Sequence, residues 1–120
     1  MGQSYRELSA WQKAMDFVMD VYKVAGAFPK DEQYGLGVQM RRAMIAVPSN
    51  IAQGQARYAS GEFYQYLGRA RGALVEVETH LVIAQNLKYI TSERAEQLLS
   101  KAAELGKILN GLAHAIQPAA

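Results

Sequence analysis

The chain has 120 residues, of which half are hydrophobic and a fifth are charged, with a formal net charge of +2. This length predicts a single domain over residues 1–120. Cysteine is absent, which excludes disulfides and thiolate metal sites, and no apolar run approaches the ~20 residues of a membrane span. Because the N-terminus also lacks an apolar signal segment, we expect a cytoplasmic protein. The low charged fraction favours an oligomer, since it indicates more apolar surface than one small monomer buries.

Apolar residues recur every three or four positions along four segments, which is typical of helices packed on a common core. The predicted helices span residues 9–25, 32–56, 61–88 and 92–116. Asp31 is the predicted cap of the second helix, and Gly54 is interpreted as its fraying end. Four helices with short connections predict an all-α fold, an antiparallel up-down-up-down four-helix bundle.

The second helix contains an unusual stretch, RRAMIAVPSNIAQG, over residues 41–54. Pro48 cannot donate a hydrogen bond to the carbonyl four residues earlier, so this helix is predicted to bend near Pro48. We expect Ser49 to return its hydroxyl to the Ile45 carbonyl, and Asn50 to satisfy freed backbone groups or a neighbouring helix. The predicted structural motif consists of Pro48, Ser49, Asn50 and Gln53.

Metal and enzyme chemistry have little support in the sequence. The only histidines are His80 and His114, too few for a di-iron bundle, which needs two Glu-x-x-His pairs. Glu76 and Glu78 lie ~200° apart on a helix, so they do not form a carboxylate pair. We therefore expect no catalytic residue, no metal and no cofactor, and we interpret His80 as a surface or interface imidazole.

The arginines are more informative. Between residues 41 and 71 every basic residue is arginine, and Glu62 is the only acid. If the second and third helices are antiparallel about a turn near Tyr58, Arg42 and Arg71 lie ~24 and ~20 Å from that turn, and the arginines can form one belt. Tyrosines interleave with them, a composition typical of RNA contact. The predicted nucleic-acid-binding residues are Arg41, Arg42, Arg57, Tyr58, Tyr64, Arg69 and Arg71, with Tyr66 as a further stacking surface.

Two alternatives remain open from the residues alone. Arg41 and Arg42 can instead form ion pairs with Glu76 or Glu78, within the chain or between subunits. The protein can also be an interaction adaptor without a nucleic-acid role. Its partner would then cover an apolar row on the third helix that consists of Val75, Val82 and Ile83.

The whole pattern resembles the 23S rRNA intervening-sequence protein family, whose members are often labelled ribosomal proteins. The residues that carry this resemblance are Tyr5 to Leu8, Trp11 to Met15, Phe28-Pro29, Tyr34 to Leu36, Gln39 to Ala43, Val47 to Gly54, Glu62-Phe63 and Glu76 to Thr79.

The resemblance implies a four-helix bundle that assembles as a homopentamer, with structured RNA or a ribonucleoprotein as partner and no established enzyme activity. The family is also similar to the accessory proteins of diversity-generating retroelements, which bind nucleic acid and a reverse transcriptase. Where the family usually has glutamate, this chain has Gln53. The missing charge leaves the nearby arginines more positive, which favours a polyanionic partner.

Overall fold

The computed structural model describes residues 4–57 and 59–118. Within these ranges there is no strand, and the helices are α1 (Ser9–Gly26), α2 (Leu36–Gln55), α3 (Ser60–Asn86) and α4 (Ser92–Ile116). Each helix packs against the next along the chain, and α4 also packs against α1. The predicted all-α helical bundle is therefore confirmed. No helix in the described part of the chain is both long enough and apolar enough to cross a membrane.

The start of α2 differs from the prediction. A short 3-10 turn, Lys30–Gln33, precedes the helix, which begins only at Leu36 after Gly35. Asp31 does not cap it; instead the Glu32 carboxylate accepts a hydrogen bond from the Leu36 backbone N–H at 3.2 Å. Pro29 and Gly35 bound this turn and separate it from α2, which explains why the helical period of the sequence placed the start too early.

A sharp turn joins α3 to α4. Lys88 has a φ of 63°, and the backbone N–H of Tyr89 donates to the Ala84 carbonyl at 2.9 Å, which is the Schellman arrangement at a helix C-terminus. An ideal Cβ on Gly106 would contact Leu74 at 3.7 Å, and one on Gly61 would contact Pro118 at 3.8 Å. Helices α3 and α4 are therefore antiparallel, whereas the up-down-up-down order of all four helices stays a prediction.

Helix α2 continues without interruption across Pro48, which is buried. The Asn50 side-chain amide donates to the Ala46 carbonyl at 2.7 Å, whereas the carbonyl that Pro48 leaves without its helical donor is that of Met44. The described residues include no hydrogen bond from Ser49 to the Ile45 carbonyl. Asn50 is therefore bonded to its own helix one turn earlier, and the bend near Pro48 stays a prediction.

Gly54 is not a fraying end but a buried contact between α2 and α3. An ideal Cβ at this position would lie 2.6 Å from the Tyr66 Cβ and 2.9 Å from the Phe63 Cδ1. Real Cβ atoms do not approach other carbons so closely, and the Tyr66 Cβ cannot move without moving the backbone of α3. Glycine is therefore required here for the two helices to meet.

We expect Gly54→Ala to lower the free energy of unfolding by at least about 1 kcal/mol, because the added methyl group forces α2 and α3 apart. Gly72→Ala in α3 is the matched control, since a Cβ there meets nothing within 4 Å. Its helix propensity should raise stability by roughly 0.5–1 kcal/mol. Chemical denaturation measures both effects. A gain in stability at both positions would show that the helices do not touch at Gly54.

Candidate nucleic-acid interface

Two arginines meet at one tyrosine where α2 approaches α3. The Arg69 guanidinium carbon lies 4.6 Å from the centroid of the Tyr66 ring, and that of Arg57 lies 5.5 Å from it. Arg57 also donates a hydrogen bond from Nη2 to the Tyr66 hydroxyl at 3.1 Å. We call Arg57, Tyr66 and Arg69 the arginine–tyrosine cluster. Guanidinium groups over an aromatic ring are attracted by its electron-rich face, so the ring holds two like charges close together.

Local structure fixes each member of the cluster. Gly54 brings the Cβ of Tyr66 against α2, and the Arg57 backbone N–H donates to the Gly54 carbonyl at 3.1 Å just beyond the end of that helix. Arg69 follows Tyr66 by three residues, so both side chains lie on the same side of α3. From the sequence, Tyr66 was predicted only as a further stacking surface. Its i, i+3 spacing from Arg69 nevertheless indicates that the two side chains lie together on α3.

Neither arginine of the cluster has a carboxylate partner in the described part of the chain. The single close ion pair there joins Lys101 to Asp20 at 2.7 Å, far along the sequence from both. Arg57 and Arg69 are exposed. Most of their N–H donors are therefore available to a ligand from solvent, and arginine can offer a carboxylate or phosphate two parallel hydrogen bonds.

The other arginines lie elsewhere, so the structure divides the predicted set into separate places. Arg71 lies about 200° around α3 from Arg69, on the side where Tyr64 is exposed. Arg42 is exposed on α2 and has no hydrogen bond or ion pair among the described residues. Tyr58 lies outside the described residues.

Arg41 has an internal role. Its guanidinium donates to the Gln33 backbone carbonyl at 2.9 Å and to the Gln33 Oε1 at 3.4 Å. The Gln33 amide in turn donates to the carbonyls of Ala25 at 2.9 Å and Phe28 at 3.0 Å. Arg41 therefore ties α2 to the turn that follows α1, and neither Glu76 nor Glu78 pairs with it within the chain.

The same turn is also joined to the connection between α3 and α4. The Tyr89 hydroxyl donates to the Glu32 carboxylate at 2.8 Å, and the Tyr89 ring lies 5.5 Å from that of Phe28. The hydrogen bond from Tyr89, with a second from the Leu36 N–H, lowers the pKa of Glu32. The hydrogen bond to Glu32 also raises the pKa of Tyr89, because the hydroxyl would lose this bond on giving up its proton.

His80, predicted to be a surface or interface imidazole, is buried, with 9% of its surface exposed. Its Nδ1 has no hydrogen-bond partner among the described residues, and its Nε2 lies 3.8 Å from the Glu76 carboxylate. Burial lowers the pKa of His80, and the nearby Glu76 charge only partly opposes that effect. Burial therefore favours the neutral form of this imidazole.

One side of the bundle exposes an apolar surface formed by α1 and α2. The ion pair of Asp20 with Lys101 marks the flank of α1 that faces α4, and the exposed apolar residues of α1 lie about 100–160° around the helix from Asp20. On α2, Ile45 lies about 180° from Gly54, which marks the α3 flank. We call this the α1–α2 face; it consists of Met15, Met19, Tyr22 and Ile45.

A second apolar surface is formed by α3 and α4. Its exposed residues on α3 lie about 160–200° from Tyr66, which marks the α2 flank. Leu99 and Ala103 lie about 200° from Lys101 and continue the surface on α4. Ile83 lies about 100° from Val82, so it does not complete the predicted row. We call this the α3–α4 face; it consists of Tyr64, Val75, Val82, Leu99 and Ala103.

Because the helices pack in the order α1, α2, α3, α4 and back to α1, the two apolar faces lie on opposite sides of the bundle. The arginine–tyrosine cluster lies between α2 and α3, and a groove between α1 and α4 is lined mainly by charged residues, namely Lys13, Asp16, Asp20, Lys101 and Glu104.

The described part of the chain is thus a four-helix bundle with two opposed apolar faces and an arginine–tyrosine cluster between α2 and α3. Comparison with known proteins identifies the family. The profile of the 23S rRNA-intervening sequence protein family matches residues 6–111, and the chain belongs to this family.

The fold is also similar to that of a solved structure, a protein of unknown function from the S23 ribosomal protein family of Bacteroides thetaiotaomicron. The TM-score is 0.78 at 20% sequence identity, over 87% of this chain and 97% of the other. A comparison with curated proteins found no match.

We expect Tyr89→Phe to reduce stability most clearly near neutral pH. A carboxylate whose folded pKa is lowered contributes stability above its unfolded pKa of about 4.5, and this stability is lost as the pH falls through the folded pKa. The variant lacks the hydroxyl that lowers the pKa of Glu32, so its loss of stability should shrink as the pH falls below that range. Urea denaturation at a series of pH values tests this, and an equal loss at pH 7 and pH 3 would contradict it.

Proposed function

We propose that this protein is a non-enzymatic, cytoplasmic RNA-binding protein that contacts structured RNA or a ribonucleoprotein through the arginine–tyrosine cluster. The observation that carries the proposal is that Arg57 and Arg69 hold two exposed guanidinium groups on one ring without a carboxylate partner among the described residues. The family's name refers to 23S rRNA, which supports RNA as the partner class.

The charge distribution supports a localised contact. The net charge of +2 is too small for the whole surface to attract a polyanion strongly. The cluster, in contrast, concentrates two positive charges, and Gln53, an exposed residue of α2 four positions before Arg57, adds no compensating charge. Binding should therefore depend on a few residues and should weaken as salt is added.

We also propose that copies of this chain assemble head to tail, with the α1–α2 face of one copy against the α3–α4 face of the next. Met19 is 66% exposed and Val75 is 51% exposed, and a second copy would bury both. Because the two faces differ and lie on opposite sides, this contact is heterologous and generates a ring when the rotation closes. The family resemblance favours five copies. Such a ring would repeat the arginine–tyrosine cluster along one surface.

The adaptor alternative requires a different protein on the same apolar surface. Val75 and Val82 do share the α3–α4 face, but Ile83 lies away from it. The presence of a second, opposed apolar face on the same chain favours another copy as the occupant.

We expect the double variant Arg57→Ala/Arg69→Ala to bind a labelled RNA hairpin about tenfold more weakly or worse, because charge-assisted hydrogen bonds to phosphate are lost. Gln53→Glu should weaken binding more modestly, since it places a carboxylate one turn from Arg57. Lys107→Ala, which removes an exposed charge from α4, is the control and should bind normally. Fluorescence anisotropy measures all four proteins, and equal affinity of the wild type and the double variant would refute the proposal.

The assembly has its own test by light scattering. We expect the mass of the wild type in solution to exceed the monomer mass of 13.2 kDa. Met19→Asp and Val75→Asp should each have the monomer mass, because each variant would bury a charge in an apolar contact on assembly. Gln97→Asp, at an exposed position of α4 about 40° around the helix from Lys101 and so on the α1 flank, is the matched control and should assemble normally.

The mixture of the two interface variants distinguishes a head-to-tail contact from a symmetric one. Each variant keeps the face that the other has lost, so equal amounts of Met19→Asp and Val75→Asp should form a complex of twice the monomer mass. A wild type that is monomeric at micromolar concentration, or a Val75→Asp variant that assembles fully, would rule out the head-to-tail contact.

A further inference from the structure

We propose that the arginine–tyrosine cluster recognises the phosphodiester backbone of RNA and does not stack on its bases. This inference rests on the proposed function, since it specifies which part of the RNA the cluster contacts. It also assigns Tyr66 the part of a positioning residue, which acts through the two arginines.

The ring of Tyr66 is already in use in the free protein. Arg69 lies over it at 4.6 Å from the centroid, and Arg57 lies over it at 5.5 Å while donating to its hydroxyl. The side chain is only partly exposed, and its Cβ is held against Gly54 of α2. A nucleobase that stacked on this ring would have to displace a guanidinium group that the ring attracts.

The groups that remain available in the cluster are hydrogen-bond donors with positive charge. A guanidinium has five N–H donors and no acceptor. Arg57 uses one nitrogen on the Tyr66 hydroxyl, and Arg69 has no hydrogen bond or ion pair in the described ranges. Both guanidinium carbons lie within 5.5 Å of the same ring centroid, so we expect them to reach neighbouring phosphates of one strand, and the ring restricts their motion before any ligand binds.

No other aromatic ring in the described part of the chain completes a stacking platform beside the cluster. Tyr64 lies about 200° around α3 from Tyr66, on the α3–α4 face. Phe63 packs against the hydrophobic core. Among the described residues, the cluster therefore offers positive charge and hydrogen-bond donors to a ligand, but no free aromatic ring.

Phosphate recognition has a consequence for the kind of RNA that is bound. Every RNA strand presents the same backbone, so the cluster should tolerate different sequences and should accept an A-form duplex as well as a single strand. Stacking on bases would instead favour unpaired nucleotides, because paired bases are covered by their neighbours.

The test compares a labelled single-stranded RNA with an abasic ribose-phosphate polymer of equal length and charge. We expect the wild-type protein to bind the two polymers within about threefold of each other, because no base is stacked. Arg69→Ala should weaken both by the same factor and should reduce the slope of log affinity against log salt by about 0.7 for both. Lys107→Ala is again the control for a lost surface charge.

Tyr66→Phe distinguishes positioning from stacking, and it keeps the ring so that the fold is preserved. It removes only the hydroxyl that accepts from Arg57, so we expect equal weakening on both polymers. Two results together would overturn this inference and leave the proposed function intact. The wild type would bind RNA but not the abasic polymer, and Tyr66→Phe would bind RNA with the same affinity as the wild type. Failure of the wild type to bind either polymer would overturn both.

Discussion

The contact of Gly54 with Tyr66 is the constraint on which the rest of the molecule depends. With no side chain at Gly54, α2 and α3 approach more closely than any larger residue would allow, and this contact holds the Tyr66 side of α3 against α2. This orientation decides which residues of α3 face the core and which face outward. It directs Tyr66 and Arg69 toward the end of α2, where Arg57 follows, and Val75 toward the opposite flank.

The chain uses the same residue type for two different purposes. Arg41 is partly buried and donates to Gln33, so its charge serves the connection between α1 and α2. Arg57 and Arg69 are exposed, and within residues 4–57 and 59–118 the only side chain that they contact through a hydrogen bond or ring interaction is that of Tyr66, so most of their donors are available. Residue type and sequence spacing do not distinguish these uses, because the difference lies in what each guanidinium meets.

The helical period of the sequence was sufficient for the number and type of the helices, since an apolar stripe has to face a core. It was insufficient for the start of α2, because a 3-10 turn and a helix share similar spacing over a few residues. Gly54 was misread because glycine more often ends a helix than lies inside an interhelical contact. The predicted arginine belt rested on the assumption that arginines at the same height along the bundle lie close to one another. Arg69 and Arg71 lie at nearly the same height, yet on opposite sides of α3. Whether two arginines can meet therefore depends more on their angle around the helix than on their height along it.

Gln53 and Gly54 are neighbours in sequence but lie about 100° apart on α2, one exposed and one buried. The buried residue determines how closely the helices pack, and the exposed one determines the charge beside Arg57. A substitution at position 53 can therefore change the electrostatic potential at the cluster while the packing of the bundle stays the same. Stability and surface charge are under independent control at two adjacent positions, so evolution or design can adjust one without disturbing the other.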